Sequence, residues 1–162
     1  MKMKNKFICI VMILILTINV SGCHFTQYSK LRRQEFKNAD IFFDHLKEEN
    51  IDSLIDMFSD DIRDSCDLED EWKEFFDVID GSIESYGSIM VTYSEQFIDD
   101  GKITRCLLNV VFYNVTTDEG SEYDTLEYNN YVVHSDKDQL GLCVVRLEDD
   151  DEFLCTIGRS NY

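Results

Sequence analysis

Cys23 is the side chain whose type and position most clearly predict a chemical reaction. Three lysines within the first six residues precede a nearly unbroken apolar run of 14 residues, Phe7–Val20, and two small residues then lead directly to the cysteine. A basic start, an apolar stretch and small residues at its end are typical of a secretory signal peptide. The run is also shorter than the ~20 residues that span a bilayer. A thiol at this position is the nucleophile that accepts a diacylglyceryl group, so the sequence predicts a lipidated Cys23.

The small residues followed by Cys23 match the bacterial lipobox, in which the modified cysteine becomes the new N-terminus. Two or three acyl chains, palmitate among them, anchor a protein stably because each buried CH₂ contributes ~0.8 kcal/mol. We therefore expect an extracytoplasmic protein held by lipid on the outer face of the bacterial cell membrane. An ordinary secretory signal and an uncleaved anchor remain open, because small residues also precede ordinary cleavage sites.

A second group of side chains has the types that acid–base chemistry uses. Burial of an Asp, His or Tyr in an apolar pocket tunes its acid strength. The pocket candidates are Asp40, Asp44 and His45 on the first predicted helix, and Tyr113, Tyr128, Tyr131 and His134 on predicted strands. The alternative is that the helix residues are solvated and the tyrosines complete a core. The sequence assigns no catalytic residue.

Four cysteines follow Cys23 in the mature chain: Cys66, Cys106, Cys143 and Cys155. Their spacing gives no CxxC or Cys/His metal motif, and the acidic runs lack a calcium-loop spacing, so we expect no metal and no cofactor. A turn centred near Asp149 would place Cys143 opposite Cys155, within disulfide reach. The alternative is that all four are small buried apolar side chains.

The charge of the mature chain excludes one class of partner. Removing the three signal lysines from 15 basic residues leaves 12 against 33 acidic residues, a formal charge near −21. Nucleic acid is disfavoured because its phosphates require the opposite sign. Adsorption to anionic head groups is disfavoured for the same reason, which leaves the lipid alone to hold the protein. A solvated acidic surface explains the charge, with a cationic partner or divalent cation as alternatives.

The hydrophobic periodicity predicts three helices followed by strands. Phe36, Ala39, Phe43 and Leu46 recur at helical spacing, with Glu35 assigned to a polar face. Asn50 is suited to cap a second helix that reaches Ile62, and a third begins near Asp67 and stops at Gly81. Four segments rich in β-branched and aromatic residues follow, at 83–97, 103–115, 123–135 and 140–147, with a shorter one near 153–157. Short turns between them indicate an antiparallel meander.

Helices first and a long antiparallel sheet afterwards predict a segregated α+β domain. Helices on one face of a curved sheet form the cone of nuclear transport factor 2-like and cystatin-like proteins. We expect a signal peptide at 1–22, a tether at 23–29 and a single domain at 30–162.

The chain also resembles a family of small, uncharacterised Gram-positive lipoproteins that carry a domain of unknown function. The resemblance lies in the lipobox and in three segments, 34–40 (QEFKNAD), 67–72 (DLEDEW) and 157–162 (IGRSNY). It implies the nuclear transport factor 2-like fold and supplies no activity.

These features predict a lipid-anchored, non-enzymatic binding or interaction module. Its partner would be an unknown protein or small-molecule ligand, and homodimerisation through the sheet is expected from the fold. The alternative is an isomerase or dehydratase that uses the cone pocket.

Overall fold

The computed structural model describes residues 27–159. The predicted signal peptide, Cys23 and the first part of the predicted tether lie outside the described residues. Helix α1 spans 27–47, so the last three residues assigned to the tether are helical. Ala39, Phe42, Phe43 and Leu46 of α1 are buried.

Three shorter helices follow: α2 (Ile51–Asp56), α3 (Asp60–Ser65) and α4 (Leu68–Val78). Asn50 and Asp67 cap α2 and α4 by accepting backbone N–H groups, which confirms both predicted starts. The single second helix expected up to Ile62 is wrong. The chain leaves the helix at Met57 because the backbone there bonds to the sheet: the Leu142 N–H donates to the Met57 carbonyl at 2.9 Å, and the Ser59 N–H donates to the Leu142 carbonyl at 3.0 Å.

Five antiparallel strands form one open sheet in the order β1-β2-β3-β4-β5. The strands are β1 (Ile83–Asp99), β2 (Lys102–Thr117), β3 (Glu122–Val133), β4 (Gly141–Asp149) and β5 (Glu152–Gly158), with a short 3₁₀ helix, Lys137–Gln139, before β4. Every ladder contains a register shift, and such bulges bend and twist a sheet. The predicted α+β meander is confirmed.

The space between the helices and the sheet is filled by aromatic and aliphatic side chains. Trp72, Phe75, Phe42 and Phe112 are among the largest fully buried residues. The ring centroid of Trp72 lies 5.1 Å from that of Phe75, and Phe42 stacks on Phe112 at 6.1 Å. Aromatic contacts at these distances stabilise a core beyond area burial.

The expected pairing of Cys143 with Cys155 is wrong in register. Cys155 lies opposite Leu147, and the backbone N–H of Arg159 donates to the Cys143 carbonyl. The two-residue turn is Asp150–Asp151, between one and two residues later than a turn centred at Asp149, because both aspartates adopt positive φ, as a two-residue primed turn requires. A register shift between Leu147 and Glu148 moves the pairing further. Both thiols are free.

Within residues 27–159, no helix is long and apolar enough to cross a bilayer.

Candidate functional site

Glu35 is a charged residue buried at the junction of α1 and β3. Its side chain is 0% exposed. The Tyr128 hydroxyl donates to one carboxylate oxygen at 2.9 Å, and the Asn130 amide donates to both oxygens at 2.9 Å. Asn38, one turn further along α1, donates its amide at 3.2 Å. These donors satisfy a carboxylate that would be costly to bury alone.

Burial shifts the acid strength of this group. Desolvation raises the pKa of Glu35 above its ordinary value of 4.5, and the hydrogen bonds from Asn130, Tyr128 and Asn38 oppose that rise. Burial, with the negative charge of Glu35 nearby, also raises the pKa of Tyr128. Tyr128 therefore remains a protonated hydrogen-bond donor at neutral pH.

Sequence reasoning missed Glu35 by assigning it to a polar face. It lies four residues before Ala39 and seven before Phe42, so it continues the buried stripe of α1. That spacing is a signal, because an acidic residue in line with an apolar stripe needs donors from the facing element. Tyr128 and Asn130 are two positions apart on β3, so their side chains face the same side of the sheet. This spacing can supply the two donors that a buried carboxylate on the facing helix needs.

A cleft of about 480 Å³ adjoins this carboxylate. The Glu35 partners Asn38 and Asn130 are part of its wall, and Gln34 donates to the Asn38 side-chain carbonyl at 3.2 Å. Apolar wall residues come from four elements or the segments beside them: Leu31, Met57, Phe58, Val132, Leu140 and Leu142. The side-chain nitrogen of Asn130 donates to Glu35, so the side-chain carbonyl oxygen is the part of this amide left to accept a hydrogen bond.

The mouth of the cleft carries opposite charges. Arg63 on α3 forms an ion pair with Asp60 and contacts Asp56 at 3.6 Å, and all three line the cleft. The wall thus combines amides, apolar carbon and one arginine that pairs with two aspartates, whose formal charges sum to −1. Such a lining suits a small uncharged molecule with both hydrogen-bonding and apolar parts.

The residues predicted for a pocket do not share one site. Asp40 and Asp44 are exposed on α1, and His45 is half-buried. Tyr128 faces the helices beside Glu35. Tyr113 lies on β2, where its hydroxyl donates to the Met90 sulfur at 4.0 Å.

Tyr131 and His134 do lie together, with ring centroids 5.1 Å apart. The Tyr131 hydroxyl accepts from Arg105 at 2.8 Å and donates to Glu95 at 3.2 Å. Tyr131 packs with Leu107 and Cys143 in a small cluster separate from the main core. Tyr131 also belongs to the lining of the cleft.

Three of the cysteines are weakly acidic because Cys106 and Cys143 are buried and Cys155 is partly buried. Burial raises the pKa of Cys106, Cys143 and Cys155 to about 11 in each case. A thiol with this pKa is a poor nucleophile and metal ligand at neutral pH.

Asp124, Asp149 and Asp150 bring carboxylate oxygens within 4.8 Å of one another at the β4–β5 turn. The Asp150 backbone N–H donates to Asp124 at 3.0 Å, which accounts for part of this grouping. The cluster lies at a hairpin tip, as expected for a solvated acidic turn.

Fold and site together define an α+β domain with helices on an antiparallel sheet and a cleft at their junction. The chain belongs to the family described as a domain of unknown function, DUF5104, which it matches over residues 41–150. The matched range includes β1 to β4 and most of the cleft, whereas Glu35 precedes it and β5 follows it. No curated protein matches the chain.

Proposed function

We propose that this protein is a lipid-anchored, extracytoplasmic module that binds a small uncharged ligand in the cleft beside Glu35. The observation that carries the binding site is the fully buried carboxylate, whose hydrogen bonds hold the Asn38 and Asn130 amides in the cleft wall. Amides held in place lose little entropy when they bind a ligand, which favours recognition. The apolar remainder of the wall supplies contact area.

The anchor rests on the lipobox that ends at Cys23. In a bacterium with lipoprotein processing, Cys23→Ala should abolish lipid labelling and release the protein from membranes. Cys66→Ala is the matched control, because it removes a thiol from the folded domain and should leave labelling unchanged. Membrane association that survives Cys23→Ala would indicate an uncleaved helix instead.

A nuclear transport factor 2-like fold is part of the same proposal. The helices precede a long antiparallel meander, and bulges bend the strands of that meander. This order of elements supports the cone shape, in which helices pack on one face of a curved sheet. An experimental structure with a flat sheet or with helices on both faces would contradict it.

Filling the cleft tests the binding site directly. Leu140 lines the cleft and Leu154 on β5 does not, and both side chains are 39% exposed. Saturation-transfer NMR against monosaccharides and capped amino-acid amides should detect binding to the native protein. Leu140→Trp should abolish that binding, and Leu154→Trp should retain it. Binding that survives Leu140→Trp, or is absent from the native protein, contradicts the proposal.

An enzyme of the isomerase or dehydratase type is the second candidate, and the raised pKa of Glu35 beside Tyr128 favours it. A general base must reach the proton that it removes. The Glu35 side chain is fully covered and its oxygens accept hydrogen bonds from Tyr128, Asn130 and Asn38, so we rank binding first. Turnover of a bound ligand that Glu35→Gln abolishes would reverse this order.

A second copy of the chain is the proposed partner for the sheet face turned away from the helices. Phe97 and Phe153 are 53% and 62% exposed, and an arginine lies over each ring. Arg105 pairs with Glu95 and Arg146 with Glu127, so the face carries both signs and can be complementary to a second copy of itself. Light scattering on Phe153→Ser should show loss of a dimer that Val78→Ser retains. A monomeric native protein contradicts this part.

A further inference from the structure

Positive charge is concentrated at one end of this acidic protein. Four of the 12 basic residues of the mature chain, Lys30, Arg32, Arg33 and Lys37, lie within eight positions of α1 and are exposed. No acidic residue precedes Glu35, and Glu35 is buried. Residues 41–162 hold the other eight basic residues against 31 acidic ones. We call Lys30, Arg32, Arg33 and Lys37 the basic end.

The side chains of the basic end are exposed to solvent, and the exposed acidic residue nearest to them along α1 is Asp40, three positions after Lys37. Lys30, Arg33 and Lys37 follow helical spacing on the side of α1 opposite its buried stripe. The ion pairs found within residues 27–159 involve five other cations: Arg63, Lys73, Arg105, Arg146 and Arg159. The charge of the basic end is therefore available to an external anion.

A second concave surface at this end has the lining that a phosphate group suits. It measures about 480 Å³ and is lined by Tyr28, Ser29, Arg32, Arg33 and Phe36. The Arg32 guanidinium lies 5.5 Å from the centroid of the Phe36 ring. A guanidinium group can donate two parallel hydrogen bonds to two oxygens of one phosphate. Amphipathic aromatic rings such as that of tyrosine are favoured at the head-group level of a bilayer.

The position of the basic end in the chain limits its distance from a lipid on Cys23. Gln27, the first described residue of α1, is four residues after Cys23, so the connection spans at most ~14 Å when fully extended. The first turns of α1 must then lie near the head groups, where attraction between opposite charges is least screened.

We infer that the basic end docks onto the head groups of anionic phospholipids in the membrane that holds the lipid anchor. This inference rests on the proposed lipidation of Cys23. It revises the expectation drawn from net charge, because the −21 of the mature chain comes from residues beyond the basic end. Docking would orient the domain, with α1 at the membrane and the acidic remainder repelled from it.

Amine footprinting tests the docking within one molecule. The processed protein, with its lipid verified by mass, is placed in vesicles of phosphatidylcholine alone or with added phosphatidylglycerol. Acetylation of Lys30 and Lys37 should slow about fivefold with the anionic lipid, since each cation near such a surface gains about that factor in binding. Lys73, Lys102 and Lys137 should be acetylated at the same rate in both vesicles. High salt should return the acetylation rates of Lys30 and Lys37 to those measured with phosphatidylcholine alone, because salt screens the attraction.

Charge-matched variants separate docking from a general electrostatic effect. Arg32→Gln with Arg33→Gln should remove most of the protection of Lys30 and Lys37. Lys102→Gln with Lys137→Gln, which removes the same charge elsewhere, should retain it. Lipidated protein with equal Lys30 acetylation in both vesicles overturns the docking and leaves the anchor standing. An N-terminus without lipid overturns the anchor and this inference together.

Discussion

The Tyr128 hydroxyl donates a 2.9 Å hydrogen bond to the Glu35 carboxylate, which joins β3 to α1 across 93 positions of sequence. Asn130, two residues further along the same strand, donates to the same carboxylate. One buried acidic group therefore fixes the first helix on the sheet and orients an amide in the cleft wall.

Glu35→Gln should lower the free energy of unfolding by about 1–3 kcal/mol at pH near 4, because an amide NH₂ would face the donors of Asn130 and Asn38. The difference in the free energy of unfolding between the native protein and Glu35→Gln should become smaller as the pH rises. Burial raises the pKa of Glu35 above 4.5, so its contribution is fully present below that pH and is lost as the pH passes the folded pKa. Urea unfolding of both proteins across this range measures the effect. The exposed Glu74→Gln is the control, and parallel curves for native protein and Glu35→Gln would contradict the prediction.

Gly141→Ala should destabilise the domain more than Gly101→Ala. Both glycines have positive φ, so both substitutions strain the backbone. At Gly141 an added Cβ would also lie 2.7 Å from the Ser59 nitrogen and 2.9 Å from the Phe58 carbonyl carbon, whereas at Gly101 it meets nothing within 4 Å. Thermal unfolding of the two variants gives the comparison. Equal losses would mean that the close approach of β4 to the segment after α2 is absent.

Thiol labelling of the mature, folded protein should be fast at Cys66 and slow at three other positions. Cys106 and Cys143 are buried and Cys155 is partly buried, and burial raises the pKa of each to about 11, so little thiolate is present at pH 8. Mass spectrometry after brief iodoacetamide treatment identifies the labelled positions, and denatured protein is the control in which all four react. A Cys143–Cys155 disulfide would appear as resistance to labelling even after denaturation.

Asp151→Gly should stabilise the protein by about 0.5–1 kcal/mol. Asp151 holds φ at 63°, a conformation that costs glycine nothing, and the change also removes one charge from an acidic tip. Asp149→Gly removes the same charge from a strand position without positive φ, so it should give no such gain. Chemical denaturation of the two variants tests the difference, and an equal gain in both would assign the effect to charge alone.

The secondary structure could be predicted from the sequence wherever the local residue preferences and the hydrophobic pattern favour the same element. Asn50 and Asp67 cap helices as their side chains predict, and alternating residues such as Leu108 and Val110 form a strand. The second helix was predicted too long because nothing in its own periodicity reveals that Leu142 would bond to Met57 and Ser59. Tertiary hydrogen bonds decided that boundary.

The site was harder to predict because its parts are distant in sequence. Glu35 can be buried only because Tyr128 and Asn130, more than 90 positions later, donate hydrogen bonds to it. The cleft forms where β4 meets the segment after α2. The hairpin pairing differs from the predicted one by four positions, since Cys155 lies opposite Leu147 and not Cys143. The turn residues are two aspartates, not glycine or asparagine, that adopt positive φ. Those residues tolerate such backbone less readily than glycine, so the pattern gave no local signal.

A map of amide shifts in ¹H–¹⁵N NMR spectra is the most direct test of the central claim, that the cleft beside Glu35 binds a small uncharged ligand. The titrant is the monosaccharide or capped amino-acid amide that binds the native protein most tightly. The largest shifts should fall on cleft residues such as Asn38, Asn130 and Gly141, and Leu140→Trp should remove them. Shifts centred instead on the opposite sheet face, at Asn109 and Asn129, or no saturable shifts at all, would contradict the account.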